Sequence, residues 1–172
     1  MIAPPDPTLR HWLQADGSLT ARLRRFGAVQ VQLQQHGAMP LWPRECADLQ
    51  QHSGYVREVV LLLDGRPAVW ARSATSLSAI KGPWRAMQGL GTRPLAELLF
   101  AQRHVERTPL QAQQLALGGG LERHVRRQWL GLEQYTPQAG IPRWARSSVF
   151  LHQGHGLRVM EAFSPWVCKL KL

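Results

Sequence analysis

At 172 residues, 44% hydrophobic and 19% charged, the chain has the size and composition of one globular domain, which excludes a disordered polymer and two full domains. A formal charge of +10 attracts polyanions or small anionic ligands. Its arginines, however, fall into separate clusters (Arg22, Arg24, Arg25 and Arg123, Arg126, Arg127) without zinc-finger or RNA-binding spacing, so they read as solvated helix faces and no nucleic-acid partner is expected.

Met1 to Trp12 lacks the pattern of a secretory signal and no run has the length of a membrane span, so the expectation is a soluble, cytoplasmic protein. Residues 1–17 read as an N-terminal extension. Ser18 then caps a helix carrying Leu19, Leu23 and Phe26, which ends at Gly27. From Val29 to Gln34 apolar residues alternate with glutamines, the pattern of a half-exposed antiparallel strand. Gly37 to Gly54, with Pro40 and Pro43, reads as a connection with one helical turn. Tyr55 to Leu63, the pair Asp64-Gly65, and Arg66 to Ser73 predict a β-hairpin with a two-residue turn. Pro83 to Gly89 predicts a short helix, and Thr92 caps another that carries Leu95, Leu98, Leu99 and Phe100.

Between 101 and 143, Thr108-Pro109 starts a helix, Gly118 to Gly120 interrupts it and Leu121 to Tyr135 resumes helical spacing, which predicts a helical flap. Ser147 to His152 and Leu157 to Phe163 form a second hairpin around Gln153 to Gly156. The whole is a single α+β domain over residues 1–172, built on a largely antiparallel sheet.

The chemistry lies in the hairpins. A two-residue turn pairs Leu63 with Arg66, Leu61 with Ala68, Val59 with Trp70 and Arg57 with Arg72. Two arginines would then face each other beside Val59 and Leu61, which asks for an anion between them. Alternatively the sheet edge lets them reach water, a protein carboxylate neutralises them, or a bulge shifts the pairing. Glu161 shares a face with Leu157, Val159 and Phe163, so it must be protonated, paired with an arginine, or kept for function. Arg57 and Glu161 on one apolar face describe a small-ligand site. Cys46 and Cys168 are isolated, and His152 and His155 merely bracket a turn, so no metal site is expected.

From Ser18 to Pro165 the chain resembles the chorismate pyruvate-lyase family. The resemblance rests on Ser18-Leu19-Thr20, on Val56-Arg57-Glu58-Val59-Val60-Leu61-Leu62 running into Asp64-Gly65 and Pro67, and on Arg72. It continues in Leu90-Gly91-Thr92-Arg93-Pro94-Leu95 with Leu99-Phe100, in Trp144-Ala145-Arg146, and in Glu161-Ala162-Phe163 before Pro165. It implies a cofactor-independent carbon–oxygen lyase that splits chorismate into 4-hydroxybenzoate and pyruvate for ubiquinone biosynthesis. The implied fold has helices packed on one side of the sheet and helical flaps over a buried ligand, in a monomer. The implied catalytic residues are Arg57 and Glu161; Leu19, Arg72 and the Leu95 amide join them in binding substrate. Ser147, Met160 and Ala96 depart from the family's pattern. The rival reading is a non-catalytic module for aromatic carboxylates, like the effector domains of some bacterial transcription regulators. Only 17 residues precede Ser18, too few for the DNA-binding helices that such domains normally follow, so the enzyme reading is preferred.

Overall fold

The computed structural model describes residues 5–171. Its centre is an antiparallel sheet of seven strands: β1 (Val29–Pro40), β2 (Ser53–Leu63), β3 (Arg66–Thr75), β4 (Glu106–Arg107), β5 (Gln111–Gln114), β6 (Trp144–His152) and β7 (His155–Phe163). They run in the order β1-β2-β3-β7-β6-β4, with β5 also pairing β6. Both predicted hairpins form. Asp64 and Gly65 take φ of 49° and 76°, and Gln153 and Gly154 take 50° and 77°, the pair of positive φ values that matches a tight turn to strand twist. The Asp64 carboxylate also accepts the Ala28 N–H at 2.8 Å, which ties the turn to the start of β1. Both β1 and the helix after it are longer than expected: the strand runs to Pro40, and α3 (Pro43–Leu49) makes two turns.

The expected register of the first hairpin holds for only two pairs. Leu63 pairs with Arg66 and Leu62 with Pro67, but Leu61 then pairs with Val69, which leaves Ala68 as an extra residue. Beyond this bulge Glu58 lies opposite Arg72 and Arg57 opposite Ser73. The facing pair Arg57–Arg72 is therefore corrected: a one-residue slip sends the two arginines to opposite faces of the sheet.

Helices cover both faces of the sheet, where one covered side was expected. On the first, α1 (Pro7–Gln14) and α2 (Leu19–Leu23) place Leu9, Trp12, Leu13, Leu19 and Leu23 against Val59, Leu61, Val69 and Phe163. Leu95, Leu98 and Leu99 of α4 (Leu95–Ala101) join Tyr55, Leu157 and Val159 nearby. The described part of the expected extension 1–17 is thus part of the fold, because Asp6 caps α1 through the Thr8 N–H and the stripe Leu9, Trp12, Leu13 drives it into the core.

On the second face, α5 (Gly120–Leu130) packs Val125 and Trp129 on Val60, Leu62, Trp70 and Met160. The expected helical flap over 101–143 is corrected in part: the segment supplies β4, β5 and α5, and α5 buries an apolar stripe under the opposite face, while Gln102, His104, Val105 and Arg107 stay on the first. Among the described residues no helix is long and apolar enough to cross a membrane.

An ion network fastens this second face. Arg72 donates from Nε and Nη2 to Glu45 of α3 at 2.6 and 2.9 Å, and from Nη1 to Glu58 at 2.6 Å. Glu58, fully buried, also accepts from Gln35 and Gln128 and lies 3.0 Å from Nε2 of His124 on α5. Burial alone would raise the Glu58 carboxyl, but the hydrogen bonds and charges of His124 and Arg72 outweigh it and hold it at about 2. Because the folded value lies below the ordinary 4.5, the carboxylate's contribution is complete above about pH 4.5 and is lost as pH falls towards 2. That loss is on the order of 3 kcal/mol. Thermal unfolding followed from pH 6 to pH 2 should show a falling midpoint in this window, and Glu58→Gln should flatten it; an equal slope in the variant would place the acid sensitivity elsewhere.

Candidate active site

The first face of the sheet is not wholly filled. Between it, the loop Asp16 to Ser18, the start of α2 and the start of α4 lies a cavity of about 450 Å³. Its floor is Val59, Leu61, Ala71 and Val159, and its polar groups include Arg57, Arg107 and Glu161. A cavity of similar size, about 470 Å³, opens beside Leu9, Trp144 and Cys168. Its charged residues, Asp6, Arg143 and Lys169, are exposed or half-buried, and no polar group is held in its wall by burial. The convergent chemistry is in the first.

Arg57 is 3% exposed. Its Nη2 donates to the carbonyls of Gly91 and Arg93, both at 2.9 Å, and the positive φ of Gly91 (58°) shapes the loop that presents them. Its Nε has no partner, and among the described residues no carboxylate lies within 4 Å of the guanidinium. Burial pushes this guanidinium below its ordinary value, with Tyr55 opposing weakly. A buried cation oriented by carbonyls and left without a counter-ion is a prepared anion site.

Glu161 resolves the alternatives differently, for it is paired. Arg146 Nε donates to Oε2 at 2.6 Å, and Arg146 Nη1 donates to the carbonyls of Trp12 and Ala15 at 3.0 and 2.6 Å. Oε1 makes no hydrogen bond among the described residues and remains for a ligand. Arg57 and Glu161 are both on this face, two strands apart and offset by two residues, since Arg57 faces Ser73 and Ser73 faces Val159. Strand spacing and rise put their Cα atoms roughly 12 Å apart, so their side chains can grip two ends of one small ring.

Leu19 and Leu95 also line the cavity. Leu95 opens α4 after Pro94, which offers no side-chain cap, so the leading N–H groups of the helix keep hydrogen-bonding capacity. Arg72 is absent from this group: it is spent on Glu45 and Glu58 on the other face, and its place as a substrate-binding residue is corrected. Of the three departing positions, Ala96 lines the cavity, whereas Ser147 and Met160 pair with each other across β6 and β7 and lie outside its lining.

Sequence reasoning missed Arg107. It sits on the two-residue strand β4, donates from Nε to Ser148 at 2.9 Å and lies 4.8 Å over the Phe150 ring. Its location in the stretch taken for a flap hid it.

The two buried arginines of this face should answer substitution oppositely. Arg146→Met strands Glu161 and the carbonyls of Trp12 and Ala15 and should cost about 3 kcal/mol or more, whereas Arg57→Met frees the carbonyls of Gly91 and Arg93 but strands no carboxylate and should cost only about 1 kcal/mol. Urea unfolding of both variants checks this, and equal losses would mean that Arg57 has a structural counter-ion.

A family model described as chorismate lyase matches residues 2–167. The chain is 42% identical over 165 residues to a probable chorismate pyruvate-lyase of Albidiferax ferrireducens, covering 91% of this chain and 83% of that one. It is 41% identical to probable chorismate pyruvate-lyase 1 of Pseudomonas fluorescens, covering 90% and 81%. Among solved structures, the effector domain of PhnF from Mycobacterium smegmatis matches with a TM-score of 0.53 at 14% identity, covering 87% of this chain and 89% of that one. The C-terminal domain of the histidine utilization repressor from Pseudomonas syringae pv. tomato matches with 0.53 at 8%, covering 84% and 97%; both likenesses concern the fold alone. With the family model spanning nearly all of its length and relatives above 40% identity, the chain belongs to the chorismate lyase family.

Proposed function

We propose that chorismate is split into 4-hydroxybenzoate and pyruvate in the cavity between the sheet, α2 and α4, with Arg57 and Glu161 as the catalytic pair. The observation that carries this reading is the uncompensated Arg57, which asks for an anionic ligand in a chamber with an apolar floor that also carries the Glu161 carboxylate. Chorismate is a ring with a carboxylate at one end and a hydroxyl opposite. Arg57 holds the ring carboxylate, helped by the Leu95 N–H, and Leu19 packs against the ring.

Glu161 accepts the hydrogen bond of the ring hydroxyl through its open Oε1, while Arg146 fixes Oε2. The reaction breaks the bond between the ring and the ether oxygen, and the electron pair leaves with the enolpyruvyl oxygen. The neighbouring ring carbon gives up its proton and the ring becomes aromatic. The released enolate takes a proton on its methylene carbon to become pyruvate. Glu161, beside the hydroxyl-bearing carbon, is placed to assist that proton's departure. Because Arg57 and Glu161 are already held in place by Gly91, Arg93 and Arg146, both contacts are oriented before the reaction begins.

The test is incubation of the purified protein with chorismate, following 4-hydroxybenzoate by absorbance and pyruvate by a coupled assay. The two should appear in equal amounts. Arg57→Ala and Glu161→Ala should each lower kcat/KM by about 100-fold or more, as expected for a lost charge-assisted contact to the reacting ring. Wild-type turnover in either variant would remove that residue from the mechanism.

A further inference from the structure

The substrate carries a second carboxylate, on its enolpyruvyl arm, and neither Arg57 nor Glu161 accounts for it. We infer that Arg107 receives that carboxylate and so distinguishes chorismate from the aromatic product, which has lost the arm. The inference rests on the chorismate reading and deepens it.

Three observations converge on Arg107. First, it is the one arginine besides Arg57 among the described residues lining the chamber. Its Nε is committed to Ser148 and its Cζ lies 4.8 Å over the Phe150 ring, but its two Nη groups donate to nothing among the described residues. No carboxylate lies within 4 Å of it either, although Glu161 and Asp16 are the acidic groups facing it and Arg146 the cation. A guanidinium held at Nε and seated over an aromatic ring, with its fork left open, is arranged for bidentate capture of a planar anion.

Second, its position follows from strand order. Arg107 pairs with Phe150, Phe150 with Leu157, Leu157 with Thr75, and Thr75 with Tyr55, the level of the sheet next to Arg57. Arg57 on β2 and Arg107 on β4 therefore stand at opposite ends of the chamber, with Glu161 on β7 between them.

Third, the substrate's connectivity matches this order. The ring hydroxyl lies opposite the ring carboxylate, and the ether oxygen is on the carbon next to the hydroxyl. With the carboxylate on Arg57 and the hydroxyl at Glu161, the arm extends past Glu161 towards β4. As the ring–oxygen bond breaks, negative charge grows on the departing enolpyruvyl group, and a cation at its carboxylate favours that separation. Arg72, on the far face, has no access to this end.

The experiment compares kcat and KM for chorismate with the Kd of 4-hydroxybenzoate, measured by calorimetry, in wild type, Arg107→Gln, Arg107→Lys and Arg57→Gln. Arg107→Gln should lower kcat/KM about 30-fold or more while the Kd of 4-hydroxybenzoate stays within about threefold; Arg107→Lys, which keeps the charge without the fork, should fall between. Arg57→Gln should weaken both. A kcat/KM for Arg107→Gln within threefold of wild type overturns the inference, and so does an equal weakening of chorismate and 4-hydroxybenzoate. If Arg107→Gln does not fold, Arg107→Lys decides, with an unchanged kcat/KM overturning the assignment. A wild-type protein that binds 4-hydroxybenzoate but never turns over chorismate sinks the substrate reading itself, a result distinct from any of these.

Discussion

The distribution of charge in this molecule turns on Ala68, the unpaired residue of β3. Without it Arg57 and Arg72 would face each other on one side of the sheet, two cations competing for one apolar surface. With it Arg72 meets Glu45 and Glu58, and Arg57 is left alone. The bulge thus separates a satisfied arginine from an unsatisfied one, and each face of the sheet takes its character from the one it receives. The second face becomes a cross-linked scaffold in which α3 and α5 are held through Glu45 and His124 to the same pair of strands. The first face can then carry a cation without a counter-ion, a local cost that a well-fastened fold tolerates where binding needs it.

Much of this was legible in the chain, because short-range rules govern hairpins. Asp64-Gly65 and the alternation around Glu161 are local features, and the turn geometry and a carboxylate turned towards the apolar face followed from them. The bulge was not. Ala68 is apolar and fully buried, so the alternation reads equally well on either side of it, and the one hint, Pro67 with no N–H for the ladder, is compatible with a regular edge. The stripe of Leu9, Trp12 and Leu13 was readable as a helix, but its importance depends on Phe163 and Leu170 at the other end of the chain. Arg107 is harder still. Its meaning comes from being four strands away from Arg57 in the sheet, and strand order is not a local property of sequence.

The fold by itself does not supply the activity. The effector domain of PhnF and the C-terminal domain of the histidine utilization repressor share it at 14 and 8% identity, so the sheet and its covering helices accommodate more than one use. What gives this chain its chemistry is the chamber's side chains: a guanidinium oriented by two carbonyls, a carboxylate with one oxygen fixed and the other open, and apolar walls between them.

Arg146 shows how closely site and fold are joined. Its guanidinium is 1% exposed and holds the Glu161 carboxylate with one nitrogen while binding the carbonyls of Trp12 and Ala15 with another. The end of α1 and the aim of the carboxylate are therefore set by the same plane of atoms. Since α1 leads directly into Asp16, Gly17 and Ser18 at the cavity wall, any shift of the helix would move both that wall and the carboxylate. A rigid planar fork suits this task, because a flexible ammonium would hold the distances without holding the angle. The first helix, remote in sequence from Glu161, thus acts as part of the support that keeps the carboxylate in place.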